Sequence, residues 1–322
     1  MINRDNLRKV VMFVLLILAT VSIIALAMYR PHAAHNKKIS LIVYGNNVKR
    51  WESLLQGAEL AGEEKGAEIN LVSMGNETDY EEQIRIIERE VSNGTQAILL
   101  AACNSEKIGE YLDRAKMKIP VIFVETGVDL QEDGVCIAAD DYMMGYELGK
   151  SICENEKPIA KVAIVSDKTY RNSISEREKG VRDAIKDYSN TVVTWKRNPN
   201  EENLLPRVFL QRELVSEAVD VIVTLDNTMT DSLMDALSNL NKTSKVYSIS
   251  TSEQAVYCLD HNLIKSLTYQ NEFGIGYIST MYAIDGKDAH KEYSDNDISF
   301  KVVNKDNMYE YDNQKLLFPF VK

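Results

Sequence analysis

From Lys38 onward, short apolar runs alternate with stretches in which apolar residues recur every three or four positions. The runs KISLIVY (38–44), EINLVSM (68–74), QAILLAA (96–102) and IPVIFVE (119–125) are nearly continuous in apolar character, which predicts parallel strands covered on both faces. Helices are predicted between them, over 48–65, where Trp51, Leu54, Leu55, Ala58 and Ala61 share one side, over 80–91 through Ile84, Ile87 and Val91, and over 105–115. The alternation then starts again: a helix over 142–154, KVAIVS (161–166), a helix over 173–188, TVVTW (191–195), a helix through 213–219, DVIVTL (220–225), a helix over 229–240, and KVYSIS (245–250). The expectation is an α/β chain of two doubly wound, Rossmann-like lobes in series.

The two series meet at CIAADDYMMGYELG (136–149), where an apolar strand ends, an Asp pair follows, and a helix opens with Gly145 and Gly149 four apart on one face. Asp140 and Asp141 read as a helix cap and hinge at this crossing. Adjacent residues point apart, so they do not form a catalytic carboxylate pair. Beyond Ser250 the order changes to a helix near 253–260, IKSLTYQN (264–271), a helix over 273–285 and the tail ISFKVV (298–303). A strand in this position can return the chain to the first lobe, and more than one strap between lobes permits hinge closure while resisting twist.

Charge divides the chain. The first 38 residues hold six basic residues and one acidic, leaving 31 basic and 47 acidic residues, a net charge of −16, for the remaining 284. No basic stripe is left to track phosphates, so nucleic acid is not an expected partner. Arg4, Arg8 and Lys9 precede an uncharged segment over 10–28, whose nineteen residues span roughly 28 Å, close to the ~30 Å hydrocarbon core. It reads as an export signal retained as a membrane anchor with the body outside the cytoplasm, although Ala25-Leu26-Ala27 also fits a processing site. No cysteine near residue 28 provides for a lipid-modified terminus.

No constellation for chemistry stands out. The histidines at 32, 35, 261 and 290 lack ligand spacing, and neither a zinc-protease motif, a nucleophile elbow nor a phosphate loop occurs. No cofactor or metal is expected, and no enzymatic activity. Cys103, Cys136, Cys153 and Cys258 are expected to be mostly buried thiols, Cys103 lying nearest the cleft because it follows a strand end.

With both lobes laid out, the chain resembles the ribose-type periplasmic binding proteins over about residues 38–290. The likeness rests on NNVKRWESLLQGAE (46–59), IPVIFVET (119–126), ADDYMMGYELG (139–149), SEREKGVRDAI (175–185), VTLDNTMTDSL (223–233) and SLTYQNEFGIGY (266–277), in that order. It implies the type I periplasmic binding protein fold: a signal-anchor and linker over 1–37, an N-terminal lobe of 38–139 with 270–297, and a C-terminal lobe of 140–269 with 298–322. It also implies a ligand site. Asn47 falls at the family's Asn after the first strand, and Trp51 at an aromatic that sandwiches the sugar, a core aromatic being the alternative. Glu125 falls at a hydroxyl-accepting Asp, Asp226 at an Asn, and Gln270 at the Gln of the hinge strand; Asp226 can equally cap a helix, and Gln270 can equally bond the hinge backbone. Four positions depart from the family: Thr126 and Ser175 stand where it has arginines, Ser250 where it has an Asp, and Arg50 where it has the first aromatic. Arg50 faces either solvent or an acidic group on the ligand, and Arg171 is a candidate second cation.

The expected function is therefore capture of a sugar or sugar-like solute by closure of two lobes, passed to a membrane permease or reported to a sensor histidine kinase. The alternative is a degenerate cleft in a protein that serves only as a partner of another membrane protein. A transcriptional regulator is excluded by the export segment standing where a DNA-reading headpiece would be.

Overall fold

The computed structural model describes residues 37–131, 134–158, 160–167, 170–188, 191–197, 201, 204–286 and 298–318, with Phe13, Ile17 and Thr20 as isolated positions before them. The expected anchor over 10–28 thus lies outside the described residues, and no described helix is long and apolar enough to cross a membrane.

The apolar runs form two sheets. The first contains β1 (Lys37–Val43), β2 (Ala67–Ser73), β3 (Ala97–Leu100), β4 (Val121–Val124) and β5 (Val135–Ile137), in the spatial order β2-β1-β3-β4-β5. All its pairs are parallel, with Ile39 between Ile69 and Ala97. The second contains β6 (Lys161–Val165), β7 (Thr191–Trp195), β8 (Val221–Thr224), β9 (Lys245–Ile249), β10 (Ile264–Gln270) and β11 (Phe300–Val303), in the order β11-β10-β9-β8-β6-β7. It is parallel except for β10 against β11. β3 and β8 are buried along their whole length, as strands covered on both faces must be.

The helices in chain order are α1 (Glu52–Lys65), α2 (Tyr80–Ser92), α3 (Ser105–Ala115), α4 (Asp141–Asn155), α5 (Asn172–Ile185), α6 (Pro206–Ser216), α7 (Asn227–Asn239), α8 (Glu253–Asp260), α9 (Glu272–Asp285) and α10 (Tyr311–Leu317). Six begin alike. The side chains of Asp79, Asn104, Asp140, Asp226, Ser252 and Asn271 each accept the backbone N–H three residues on, satisfying a donor that the first helical turn leaves open. Where the sequence pattern places a helix through 213–219, the structure has α6 ending at Ser216. Pro206 occupies its first turn, where a missing N–H costs nothing.

Each lobe is closed by two helices that touch backbone to backbone. A Cβ on Gly57 of α1 would sit 2.0 Å from the Phe273 carbonyl oxygen of α9, and one on Gly145 of α4 would sit 2.0 Å from that of Arg177 on α5. Any side chain there would push these helices apart.

The chain passes between the lobes at 138–140, where β5 gives way to α4, and at Asn271, where β10 gives way to α9. α9 packs on α1 and against β3, β4 and β5, and so brings the chain back to the first lobe. The tail strand does not make that return: β11 pairs with β10, and the Asn271 N–H donates to the Ser299 carbonyl, so two straps run side by side.

Candidate binding cleft

In doubly wound sheets, side chains just past the carboxyl ends of the strands converge on the crevice. Here those ends supply Tyr44 after β1, Glu125 after β4, Asp226 after β8, Ser250 after β9 and Gln270 at the end of β10. Between the lobes lies a cavity of about 10 Å³, room for about one water, lined among others by Arg50, Glu125, Arg177, Ser250, Gln270 and Glu272, with Tyr44 and Asp226 beside it.

The first-lobe wall is organised by Glu125. The pattern predicts that the strand includes this residue, but β4 stops at Val124 and Glu125 takes a φ of 66°, a left-handed conformation that is costly for a side chain of this kind. That turn leaves the carboxylate buried at the lobe interface, where it accepts the Tyr44 hydroxyl at 2.6 Å and pairs with the Arg50 guanidinium. Burial alone would raise Glu125, yet Arg50, Arg177 and Arg171, with the Tyr44 hydrogen bond, hold its carboxyl below the usual range. Arg50 also donates to Glu272, at 3.1 Å, and lies over the Trp51 indole with its guanidinium carbon 3.9 Å from the ring centroid. For Glu272, burial outweighs Arg50 and, reinforced by Glu125, raises the carboxyl above its usual value.

The second-lobe wall is set by Arg177. Its Nε donates to Asp141 at 2.7 Å and its Nη1 to the Leu225 carbonyl at 3.0 Å, which ties α5 to the first strap and to the end of β8. Burial pushes Asp141 up to about 6 against the pull of Arg177. Beside it, the Asn227 side chain accepts the Ser250 hydroxyl and the Thr251 N–H, and the Thr251 hydroxyl donates to Glu272 at 2.8 Å across the cleft. Three buried polar atoms of residues lining this cavity have no partner among the described residues: Arg177 Nη2, Thr268 Oγ1 and Gln270 Oε1.

A seam of direct contacts joins the lobes beside the cavity. The Arg171 guanidinium carbon lies 4.5 Å from the Tyr44 ring centroid, and the same side chain pairs with Asp226 at 2.8 Å. The Thr228 hydroxyl donates to Glu77, the Ser105 N–H to the Tyr170 carbonyl, the Ser173 N–H to the Thr126 hydroxyl, and the Asn172 amide to Asp129. Exposed Lys49 and Glu253 meet at its edge.

Of the residues singled out from sequence, the structure brings Arg50, Glu125, Ser250 and Gln270 to the cavity. Gln270 lines the cavity and, among the described residues, makes no side-chain bond to the hinge backbone. Thr126, Arg171 and Asp226 lie in the seam, and Asp226 both caps α7 and pairs with Arg171. Asp140 caps α4, while Asp141 holds Arg177. Three expectations need correction. Asn47 is exposed, because the turn it opens uses its carbonyl and not its side chain. Trp51 offers no free face: its ring is 1% exposed, its Nε1 donates to the Tyr44 carbonyl, its edge meets Tyr44 and its face is covered by Arg50. Ser175 stands in the first turns of α5 outside the cavity, and Arg177, two residues on, lines it instead. Arg50 itself is not solvated; its side chain is 13% exposed and neutralised by protein carboxylates.

Sequence reasoning missed Tyr44, Arg177, Asn227, Thr251, Thr268 and Glu272. The positions of Tyr44, at the end of the first apolar run, and of Glu272, two residues past Gln270, were the available signals. Among the described residues no group of His, Cys, Asp and Glu is arranged to hold a metal ion. Cys103, Cys153 and Cys258 are reduced thiols, and burial pushes Cys103 up to about 12, which leaves it inert.

A model of the family described as "Periplasmic binding protein domain" matches residues 39–288. Among curated proteins no sequence matches significantly. Many solved structures are similar in fold. A carbohydrate transporter solute-binding protein from Agrobacterium radiobacter, in complex with D-arabinose, superposes with a TM-score of 0.77 at 20% identity, covering 87% of this chain and 98% of that one. An ABC transporter solute-binding protein from Agrobacterium vitis with bound D-fucose gives 0.76 at 18%, covering 87% and 100%. One from Actinobacillus succinogenes with bound D-allose gives 0.70 at 18%, covering 86% and 100%. At these identities the likeness is one of fold.

Proposed function

The chain belongs to the periplasmic binding protein family, a family of binding proteins and not of enzymes, and on that premise we propose that it captures a sugar or sugar-like solute between its lobes outside the cytoplasm. The observation that carries this reading is the set of buried, unpartnered polar atoms on Arg177, Thr268 and Gln270 around one cavity beside the straps. A buried donor or acceptor left without a partner costs roughly 1–3 kcal/mol, and ligand hydroxyls meet all three. Closure is favoured by ligand because residues of both lobes wall the cavity, and the ligand shifts the hinge only by its differential affinity for the closed form. Sugars bound to the similar solved proteins support the ligand class, and their role in ABC transport favours delivery to a membrane permease over signalling to a sensor histidine kinase. An N-terminal membrane anchor over 10–28 would hold the body at that membrane.

One observation favours a second reading. Arg50, Glu125 and Glu272 fill the cleft to the point where about one water fits, which is the picture expected of a cleft that binds nothing and serves only for docking on another membrane protein. A thermal-shift screen of the full chain in mild detergent against pentoses, hexoses, polyols and nucleosides separates the two. Ligand at 100 times its Kd adds about 2.7 kcal/mol and a visible rise in Tm. Silence from a cooperatively melting protein supports the docking reading.

A further inference from the structure

Resting on the reading of the cleft as a sugar site, we infer that it is built for an amino sugar, with Glu272 as the carboxylate that receives the ligand's basic nitrogen. Glu272 is buried at the start of α9 and lines the cavity. Both of its hydrogen bonds, from Arg50 Nη1 and from the Thr251 hydroxyl, fall on Oε1, and Oε2 has no partner among the described residues. Gln270, two residues earlier on the same strap, makes no side-chain hydrogen bond among the described residues and leaves its Oε1 buried. An ammonium and a neighbouring hydroxyl of one sugar edge match that pair. Arg177 Nη2, on the opposite wall, is placed for an oxygen acceptor.

Charge balance points the same way. Arg50 and Arg177 are the cations lining the cavity, against Glu125 and Glu272, and Asp141 stands directly behind Arg177. Arg50 is shared between two carboxylates, and Arg171 is spent on Asp226 and the Tyr44 ring. The cluster is one positive charge short. An anionic ligand would meet that deficit with repulsion, whereas an ammonium fills it, and attraction is strong where water is excluded. The raised carboxyl of Glu272, pushed up by burial and by Glu125 against Arg50, is the mark of the same deficit. A sugar acid, which Arg50 and Arg171 suggest when read from sequence, is therefore disfavoured.

The test is calorimetry on the full chain at neutral pH with matched series: D-glucosamine, D-glucose and D-glucuronate, and the corresponding galacto compounds. In at least one series the amine is expected to bind about tenfold or more tighter than the neutral sugar and the acid most weakly, the N-acetylated amine losing the advantage with its charge. Glu272→Gln, which preserves shape, is expected to weaken amine binding more than neutral-sugar binding, so that the preference for the amine is lost. Neutral or acidic sugar binding as tightly as the amine overturns the inference and leaves the sugar reading standing, as does an amine advantage that N-acetylation or Glu272→Gln does not reduce. Heat from none of the compounds overturns this inference, and the sugar reading falls with it only if the wider thermal-shift screen of the cooperatively melting chain is silent too. The comparison among ligands needs no variant, so it stands if Glu272→Gln does not fold.

Discussion

The cavity and the seam beside it draw on the same side chains, arginine, carboxylate, threonine and amide, and treat them in opposite ways. In the seam the lobes are joined by direct contacts: Arg171 lies on Tyr44 while pairing with Asp226 of its own lobe, Glu77 takes the Thr228 hydroxyl, and Thr126 takes the Ser173 N–H, with Arg171 Nε and the Tyr170 hydroxyl left unmet among the described residues. In the cavity Arg50 is shared by Glu125 and Glu272, while Glu272 Oε2 on the first-lobe side, Gln270 Oε1 on the strap and Thr268 Oγ1 and Arg177 Nη2 of the second lobe stay unmet among the described residues. Satisfied polar contacts hold two surfaces together, while unmet ones reward whatever molecule arrives to meet them. On the proposed function, the seam is the part of the interface that holds the lobes together and the cavity the part that recognises.

This division can be broken from either side. The largest effect is expected from Glu125→Ala, which leaves the buried Arg50 with one partner and the Tyr44 hydroxyl with none; denaturant unfolding should show a loss of about 3–5 kcal/mol, with ligand binding gone. A loss below about 1 kcal/mol would mean that the strained turn at Glu125 offsets the value of its contacts.

Next is a pH effect at the strap. Asp141 titrates at about 6 in the folded protein against 3.8 as its ordinary value, so between these values the native state holds the extra proton. Its contribution is greatest below about pH 4 and falls as pH rises towards 6, by about 3 kcal/mol in all. Glu125 acts in the reverse sense, its lowered value giving stability above the unfolded carboxylate range that is lost as acid protonates it in the native state. Asp141→Asn should flatten the decline between pH 4 and 6 in a Tm profile; an unaltered slope would remove Asp141 as its source.

Arg171→Met tests the seam. Loss of a desolvated cation–π contact should cost about 2 kcal/mol and enlarge the radius of gyration of the ligand-free chain in small-angle scattering. An unchanged radius would show that the lobes do not depend on this contact. Gln270→Ala tests the cavity in isolation: ligand affinity should fall by about 1.5 kcal/mol in calorimetry while Tm stays where it is, the pattern opposite to that of Arg171→Met. Lys49→Ala, at the exposed edge of the seam, should alter neither quantity, since surface ion pairs are screened and flexible.

Much of this molecule is legible in the order of its residues. Apolar runs between amphipathic stretches determined the strands and most helices, and the family resemblance then singled out Glu125, Ser250 and Gln270 at the ends of such runs, where the crevice of a parallel sheet must be. What local pattern could not resolve was which of two close neighbours faces the cavity. Arg50 and Trp51 are about 120° apart on the 3-10 turn Val48–Trp51, and Ser175 and Arg177 about 200° apart on α5; the rotation that sends Arg177 inward is set by Gly180, where a Cβ would lie 2.1 Å from the Tyr142 carbonyl oxygen. The ion cluster is further from reach still. Arg50, Glu125 and Glu272 come from three distant stretches, and only the packed lobes decided that one guanidinium would serve two carboxylates and leave one oxygen open. Strand and helix follow from neighbours along the chain, whereas charge balance in a buried cleft depends on which distant groups exclude water together.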